Sequence, residues 1–345
     1  MKLRIGYLQL KAHPHVLYSL TGLRPAEFEQ LVKDVAPLFM ASEKKRLLLI
    51  RAREQRKREI GGGHPFSLPM RDQLLLSVVW LRQYPTYEVL GFLFGITHST
   101  VSRLLRRTLP VLAKAGKDQM RMPDPGRKHR RSFSDLLSEL PELAVVIDTF
   151  EQAVRPPQTR DARTPQERTK KQKEADSWYS GKKRAHTIKS QIGVDVHTGA
   201  ICDVSDSVRG PTGDMRLLKK SKLMERLPEG VGGGGGGGGE GDLAYVGIAK
   251  LHPQGLGATP RKKPRGADKH RPRGQDKPRP PQDKEYNRAF AQRRVVVEHA
   301  IRQLRCYQSI TQLDRHHREM HTERVNAIAG IVNRKMQSRL PFRFT

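Results

Sequence analysis

The stretch "LAVVIDTF" (Leu143–Phe150) decides how the chain divides. Five apolar residues in succession, then an aspartate, are the pattern of a strand covered on both faces. N-terminal to it the texture is helical. "TGLRPAEFEQLVKDVAPLF" carries Phe28, Leu31, Val32 and Val35 at helical spacing behind a capping Thr21. The basic run "ASEKKRLLLIRAREQRKREI" continues the helix until "GGGHPFSLP" breaks it, and "MRDQLLLSVVWLRQYP" is a third predicted helix, stopped by Pro85. Next comes a short helix capped by Thr86, with Val89, Leu90 and Leu93 inward, and a tight turn at Gly95. A second helix, capped by Ser99 or Thr100, turns Val101, Leu104, Leu105 and Leu109 to the core. This is the spacing of a helix–turn–helix over about 86–110. His98, Ser99, Thr100, Ser102, Arg103, Arg106 and Arg107 remain for the outer side, where short polar and guanidinium groups reach bases and phosphates. A plain helical hairpin with a basic exterior shares the pattern; the overall charge favours DNA.

That charge is large. The 345 residues include 65 Lys+Arg against 35 Asp+Glu, a formal net charge of +30, with a pI near 10.5. A polyanionic partner is implied, and nucleic acid is the default. No apolar run reaches the length of a membrane span. The opening "MKLRIGYLQLKAHPHVLYSL" is interrupted by Lys11, His13, Pro14 and His15, a poor secretory signal. Cys202 and Cys306 form neither a metal pattern nor a disulfide framework, as in a reduced cytoplasmic protein.

C-terminal to the apolar strand, "HTIKSQIGVDVHTGAICDVSDSVRG" reads as a two-stranded hairpin and "DMRLLKKSKLMERLPEG" as a helix. Residues 252–287 are rich in Pro, Gly, Lys and Arg, the composition of a mobile cationic loop. "RAFAQRRVVVEHAIRQLRCY" and "HTERVNAIAGIVNRKM" close the chain as helices. The predicted organisation is a helical DNA-binding domain (1–120), a basic linker (121–140) and an α/β (α+β) domain (141–345) with helices on a mixed sheet.

Three carboxylates stand out. Asp148 ends the apolar strand, Asp242 stands in "EGDLAYVGI", and Glu298 interrupts "RRVVVEHAIRQLRCY". Val297, Ile301 and Leu304 share one face of that last helix, with Glu298, Arg302 and Arg305 on the adjacent stripe. Each acid has a plain reading: Asp148 and Asp242 as turn residues, Glu298 as half of an i,i+4 pair worth about 0.2–0.5 kcal/mol. Together they suggest a Mg²⁺ site, since that ion takes a few carboxylates and keeps waters for substrate oxygens. Two such ions about 4 Å apart can hold both oxygens of a phosphodiester displacement.

"VVIDTFEQAVRP", "YSGKKRAHTIKSQIGVDVHTGAI", "GDLAYVGI" and "NRAFAQRRVVVEHAIRQLR", in that order, resemble the successive motifs of the DDE transposases of bacterial insertion sequences, over nearly the whole chain. The resemblance implies a helix–turn–helix followed by a ribonuclease-H-like DDE endonuclease domain. It implies Asp148, Asp242 and Glu298 as a triad holding two Mg²⁺ (or Mn²⁺) ions, and an enzyme that cuts and joins the ends of its own mobile element. Its partners are then double-stranded DNA, as terminal inverted repeats and target, and at least a second copy of the chain, in a nucleoid-associated cytoplasmic protein with no membrane contact. Lys182, Lys183, Arg184, His186 and Lys189 could hold the backbone near the cut, or form a solvated charge run; Arg294, Arg302 and Arg305 flank Glu298 and could grip phosphates.

One segment departs from the family pattern. Gly232 to Gly239 are all glycine where a strand should lead into Asp242. Glycine disfavours a strand, and no Lys-Ser or Lys-Thr follows to make a phosphate loop. Either neighbouring strands hold the segment in the sheet, or Asp242 sits on a loose tether, which would leave a decayed DNA-binding protein as the alternative. Two further features carry little: His317 and His321 at i,i+4 lack a third zinc ligand, and Trp178 and Tyr179 could stack a base but more often anchor loops.

Overall fold

The computed structural model describes residues 4–53, 66–124, 143–156, 164–235, 245–261, 280–316 and 318–339. The chain forms two compact units. One comprises residues 1–120, 152–155 and 303–345; the other comprises 121–151 and 156–302. Residues 303–345 thus group with the N-terminal helices, whereas the sequence boundaries assign them to the second domain.

The first unit is helical. It contains α1 (Tyr7–Lys11), α2 (Pro14–Thr21), α3 (Pro25–Arg53), α4 (Met70–Gln83), α5 (Tyr87–Phe94), α6 (His98–Lys117) and, from the far end of the chain, α10 (His321–Arg339). Phe28, Leu31, Val32 and Val35 are buried as their spacing predicts. Thr21 does not cap α3: it closes α2, its hydroxyl donating to the Leu17 carbonyl at 2.6 Å. Glu27 instead accepts the Arg24 N–H at 2.7 Å, satisfying a donor at the helix entrance. The Thr86 hydroxyl caps α5 as read, and Gly95 turns the chain at φ 68°. Val89 faces outward, with Leu90, Gly91 and Phe94 taking the buried side. α6 starts earlier than read, because Thr97 rather than Ser99 or Thr100 accepts from the Thr100 N–H. Its Val101, Leu104, Leu105 and Leu109 are buried. α10 packs on α6 where two glycines cross: a Cβ on Gly330 would stand 2.2 Å from Gly116 Cα, so only hydrogen fits there.

The second unit is a mixed sheet with helices, a ribonuclease-H-like arrangement. Its described elements are β1 (Leu143–Ala153), α7 (Pro165–Asp176), β2 (Tyr179–Ser180), β3 (Ala185–Asp195), β4 (Ile201–Val204), β5 (Val208–Arg209), α8 (Asp214–Ser221), β6 (Gly232–Gly235), β7 (Gly257–Ala258) and α9 (Pro281–Arg305). The strand order is β2-β3-β1-β6-β7, with β4 and β5 also on β3. β3 and β4 are the predicted antiparallel hairpin. The first four glycines of the run form β6, parallel to β1 on one side and to β7 on the other. The neighbours hold it there. Ladder bonds form on both edges, and the space that Cβ atoms would fill is taken by Met224, Leu143 and Tyr245, whose atoms lie 2.6–2.7 Å from those positions at Gly233, Gly234 and Gly235. Gly236–Gly239 and Asp242 lie outside the described residues. So does half of the predicted basic loop, residues 262–279, but two of its other parts are ordered elements: Gly257–Ala258 is β7, and α9 starts at Pro281.

Candidate active site and nucleic-acid interface

β1 does not stop at Asp148; it runs on to Ala153, and strand alternation splits its polar residues between two faces. On one face Asp148 meets α9. Its Oδ2 accepts from Arg294 Nη2 at 2.9 Å and its Oδ1 from the Thr149 N–H at 2.8 Å. One turn further along α9, Glu298 Oε1 lies 3.6 Å from the other terminal nitrogen of the same guanidinium. Arg294 is thus an i,i+4 partner of Glu298 on its upstream side. Arg294 is 12% exposed, Asp148 16% and Glu298 54%. Burial pushes the Asp148 carboxyl above the usual carboxylate range, Arg294 and the Thr149 N–H pull it back, and Asp214 adds to the rise.

The other face of β1 carries a second network. The Lys189 ammonium donates to the Thr212 carbonyl at 2.7 Å and to Asp214 Oδ1 at 2.9 Å, and lies 3.5 Å from Glu151 Oε1. The Thr187 hydroxyl donates to Glu151 at 2.7 Å and the Thr149 hydroxyl to Asp214 at 3.1 Å. Four carboxylates (Asp148, Glu151, Asp214, Glu298) thus face two cations (Lys189, Arg294), a surplus of two negative charges inside a strongly basic chain. On the first face, Asp148 and Glu298 are oxygen donors of the kind a hard divalent cation takes, with Glu298 open to solvent. Among the described residues no three ligand-type side chains converge closely enough to hold a metal by themselves; Asp242 lies outside them.

The basic residues sort by exposure. Lys182, Lys183 and Arg184 are exposed in the turn between β2 and β3, where Arg184 takes φ 50°. His186 packs edge-on against Tyr179. Arg302 and Arg305 are exposed on α9. Lys189 departs from the sequence reading: it is buried, its ammonium committed to the internal acids, so it does not face a ligand. Asp214, Glu151 and Thr149 were missed. The available signal was the alternation in "DTFE", where Thr149 and Glu151 share a face, together with the helix-initial acid of "TGDM".

On α6, His98, Ser99, Arg103 and Arg106 are exposed, while Thr100, Ser102 and Arg107 are half-buried. The outward set therefore lies on one side of a helix whose other side is core. His321 is no zinc ligand: it is fully buried, hydrogen-bonded to Gln152 Oε1 at 2.8 Å. Burial and the Arg324 charge push its pKa down to about 3 against the opposing pull of Asp314. His317 lies outside the described residues.

A helix–turn–helix with an arginine-rich outer side, followed in the chain by a ribonuclease-H-like sheet with acids at its centre, defines the class of DNA-acting endonucleases. Comparison with known proteins gives the family. Residues 147–333 match the DDE superfamily endonuclease family, and residues 66–118 match the helix–turn–helix of DDE superfamily endonuclease. A protein of Microchaete diplosiphon described as a probable transposase for insertion sequence element IS702 is 30% identical over 282 residues, covering 81% of this chain and 85% of that protein. No solved structure matches the chain. The chain belongs to the DDE superfamily endonucleases.

Proposed function

We propose that the protein is the DNA transposase of an insertion sequence. It binds the ends of its element through α6, then cleaves and joins DNA strands at a site built on Asp148, Asp242 and Glu298. The observation that carries this reading is the Arg294 bridge. Asp148 on the strand and a guanidinium 146 residues later are in direct contact, and Glu298 shares that guanidinium. Folding has gathered acids from distant parts of the chain around one positive charge, as a cation-binding centre requires. The register supports a place for the third acid. Gly235, seven residues before Asp242 in the chain, pairs with Ile147 in parallel strands, one residue from Asp148. The carboxyl ends of parallel strands are where open α/β sheets bind ligands.

Asp148, Asp242 and Glu298 would hold two Mg²⁺ (or Mn²⁺) ions, which when bound supply the charge that draws the attacking and leaving oxygens of a phosphodiester together. The protein's own groups orient the substrate. Lys182, Lys183 and Arg184 on their exposed turn, with Arg302 and Arg305 on α9, offer donors to backbone phosphates. Arg294, once its carboxylates have another counter-ion, can turn a bidentate fork toward a phosphate. The α6 side chains fix where on the DNA the cut falls. Because two ends are joined, the working form is at least a dimer on DNA, acting in the bacterial cytoplasm at the nucleoid.

The test is a strand-cleavage assay on duplexes carrying the element's terminal inverted repeats, with Mg²⁺ and with Mn²⁺. Asp148→Asn and Glu298→Gln should each lower cleavage at least about 100-fold without loss of end binding. Cleavage left intact in either variant refutes the site. Specific binding with no nicking in either metal would mean a protein that only recognises DNA.

A further inference from the structure

Two depressions flank the outward side of α6, both within the helical unit. The larger, about 520 Å³, is lined by Arg46 of α3, by Phe66, and by Thr100, Arg103 and Arg107 of α6, with Arg106 shared between the two depressions. The smaller, about 260 Å³, is lined by Tyr87, by Ser102 and Arg106 of α6, and by Arg315 and His316 near the far end of the chain. At 3.6 residues per turn, Thr100, Arg103 and Arg107 fall on one flank of the helix and Ser102 and Arg106 on the other, with Ser99, Arg103 and Arg106 facing out between. A helix about 10–12 Å across nearly fills a major groove about 12 Å wide. Groups on either flank of a seated helix therefore meet the two sugar–phosphate backbones.

The chemistry of both depressions suits a phosphate oxygen. In the larger, four guanidinium groups line the depression, and among the described residues one acid, Glu43, pairs with them, 2.8 Å from Arg46 and 4.0 Å from Arg107. Arg107 is pinned over the Phe66 ring at 4.4 Å, and its Nε is shielded from solvent with no hydrogen-bond partner. A donor in that state lacks an acceptor. In the smaller, Arg315 is held over the Tyr84 ring at 4.5 Å while donating to the Tyr84 carbonyl. His316 stacks on Tyr87 at 4.9 Å and shares a hydrogen bond with its hydroxyl at 3.2 Å. Arg107 and Arg315 are therefore both held in place before any ligand arrives, which limits the side-chain entropy lost on binding.

We propose that these two depressions seat DNA backbone phosphates on opposite sides of the groove that α6 enters, so that Arg46 and Arg315 belong to the DNA interface although both lie outside the helix–turn–helix. The proposal rests on the reading of α6 as the recognition helix. One consequence is that a segment following Glu298 in sequence helps bind DNA in the helical unit.

The full-length protein is titrated by fluorescence anisotropy into a terminal-repeat duplex and a scrambled duplex, from about 50 to 200 mM salt. Arg46→Gln and Arg315→Gln should each flatten the slope of log K against log salt by about 0.9, and the double variant by about 1.8, equally on both duplexes. Arg46→Lys and Arg315→Lys, which keep the charge, should restore the slope. A neutral methylphosphonate at the contacted phosphate should weaken the wild type as the Gln variant does, and leave that variant unchanged. Unaltered slopes in both Gln variants, while the wild type still prefers the repeat, overturn the proposal alone. A wild type with no preference for the repeat overturns the recognition-helix reading and this proposal with it.

Discussion

Replacing Lys189 with methionine tests the account of the sheet interior. Lys189 is 9% exposed and stands between Glu151 at 7% and Asp214 at 15%. Methionine keeps much of the packing volume and removes the charge. Two carboxylates are then left inside the unit without their counter-ion, while their Thr187 and Thr149 hydrogen bonds survive. Removing one partner of a buried pair costs roughly 3–5 kcal/mol, because the other stays desolvated and unpaired. The two surviving hydrogen bonds, and the partial exposure of Asp214, place the expected loss near the lower end, about 3 kcal/mol. That is a large share of the 5–15 kcal/mol typical of a domain. Urea unfolding followed by circular dichroism measures it. Adding Glu151→Gln should recover part of the stability. If Lys189→Met loses less than about 1 kcal/mol, as an exposed ion pair would, the ammonium is not the counter-ion described and Lys189 returns to the candidates for DNA contact.

Gly235→Ala should destabilise by about 1–3 kcal/mol, since its Cβ would meet the Tyr245 ring at 2.6 Å and overpacking outweighs the roughly 0.5–1 kcal/mol gained in chain entropy; a rise in the urea midpoint would contradict this. His321 titrates at about 3 when folded and near 6.5 when unfolded, so between those values the unfolded state binds the extra proton. Stability should fall by up to about 1.4 kcal/mol for each pH unit below 6.5, and a flat profile down to about pH 5 would refute the buried neutral histidine. Treating the purified protein with a chelator should leave its melting temperature where it was, because Arg294 already neutralises the acids that a structural metal would otherwise hold. Arg294→Gln should bind Mn²⁺ more tightly by calorimetry, on the order of tenfold, because the cation that competes for Asp148 is gone; unchanged or weaker binding would show that Arg294 does not occupy the metal's place.

Much of this was legible in the chain, and the gaps have physical causes. The core side of α6 and the apolar half of β1 follow from periodicity alone, since burial of one face leaves the pattern in the residues. The true cap of α6, Thr97, lay two residues before Ser99 and three before Thr100, the two read, because "THST" offers several good caps and only backbone geometry chooses among them. Lys189 belongs to a run of basic residues, so composition placed it outside. Its inward course depends on Asp214, 25 residues on, and on which face of β3 is covered. The glycine strand contradicts its own propensity. β1 and β7 impose it, a tertiary effect absent from any local window. α10 reads as a helix from its pattern, but its partner does not: nothing in "VNAIAGIVNRKM" says that Gly330 meets Gly116 of α6.

The Arg294 bridge resolves a conflict set by the composition. A chain at +30 can fold around an acidic centre without difficulty, but acids placed side by side for a divalent ion repel until that ion arrives. A guanidinium on the same helix as Glu298 removes the repulsion from the start. Its fork spans both carboxylates, whereas an ammonium is a point charge and would favour one. On the proposed reading, a metal ion held by Asp148 and Glu298 would take the place that Arg294 holds beside them. The guanidinium so released would be available to a backbone phosphate. A lysine at 294 would neutralise the centre less evenly and, once freed, would offer the phosphate no fork.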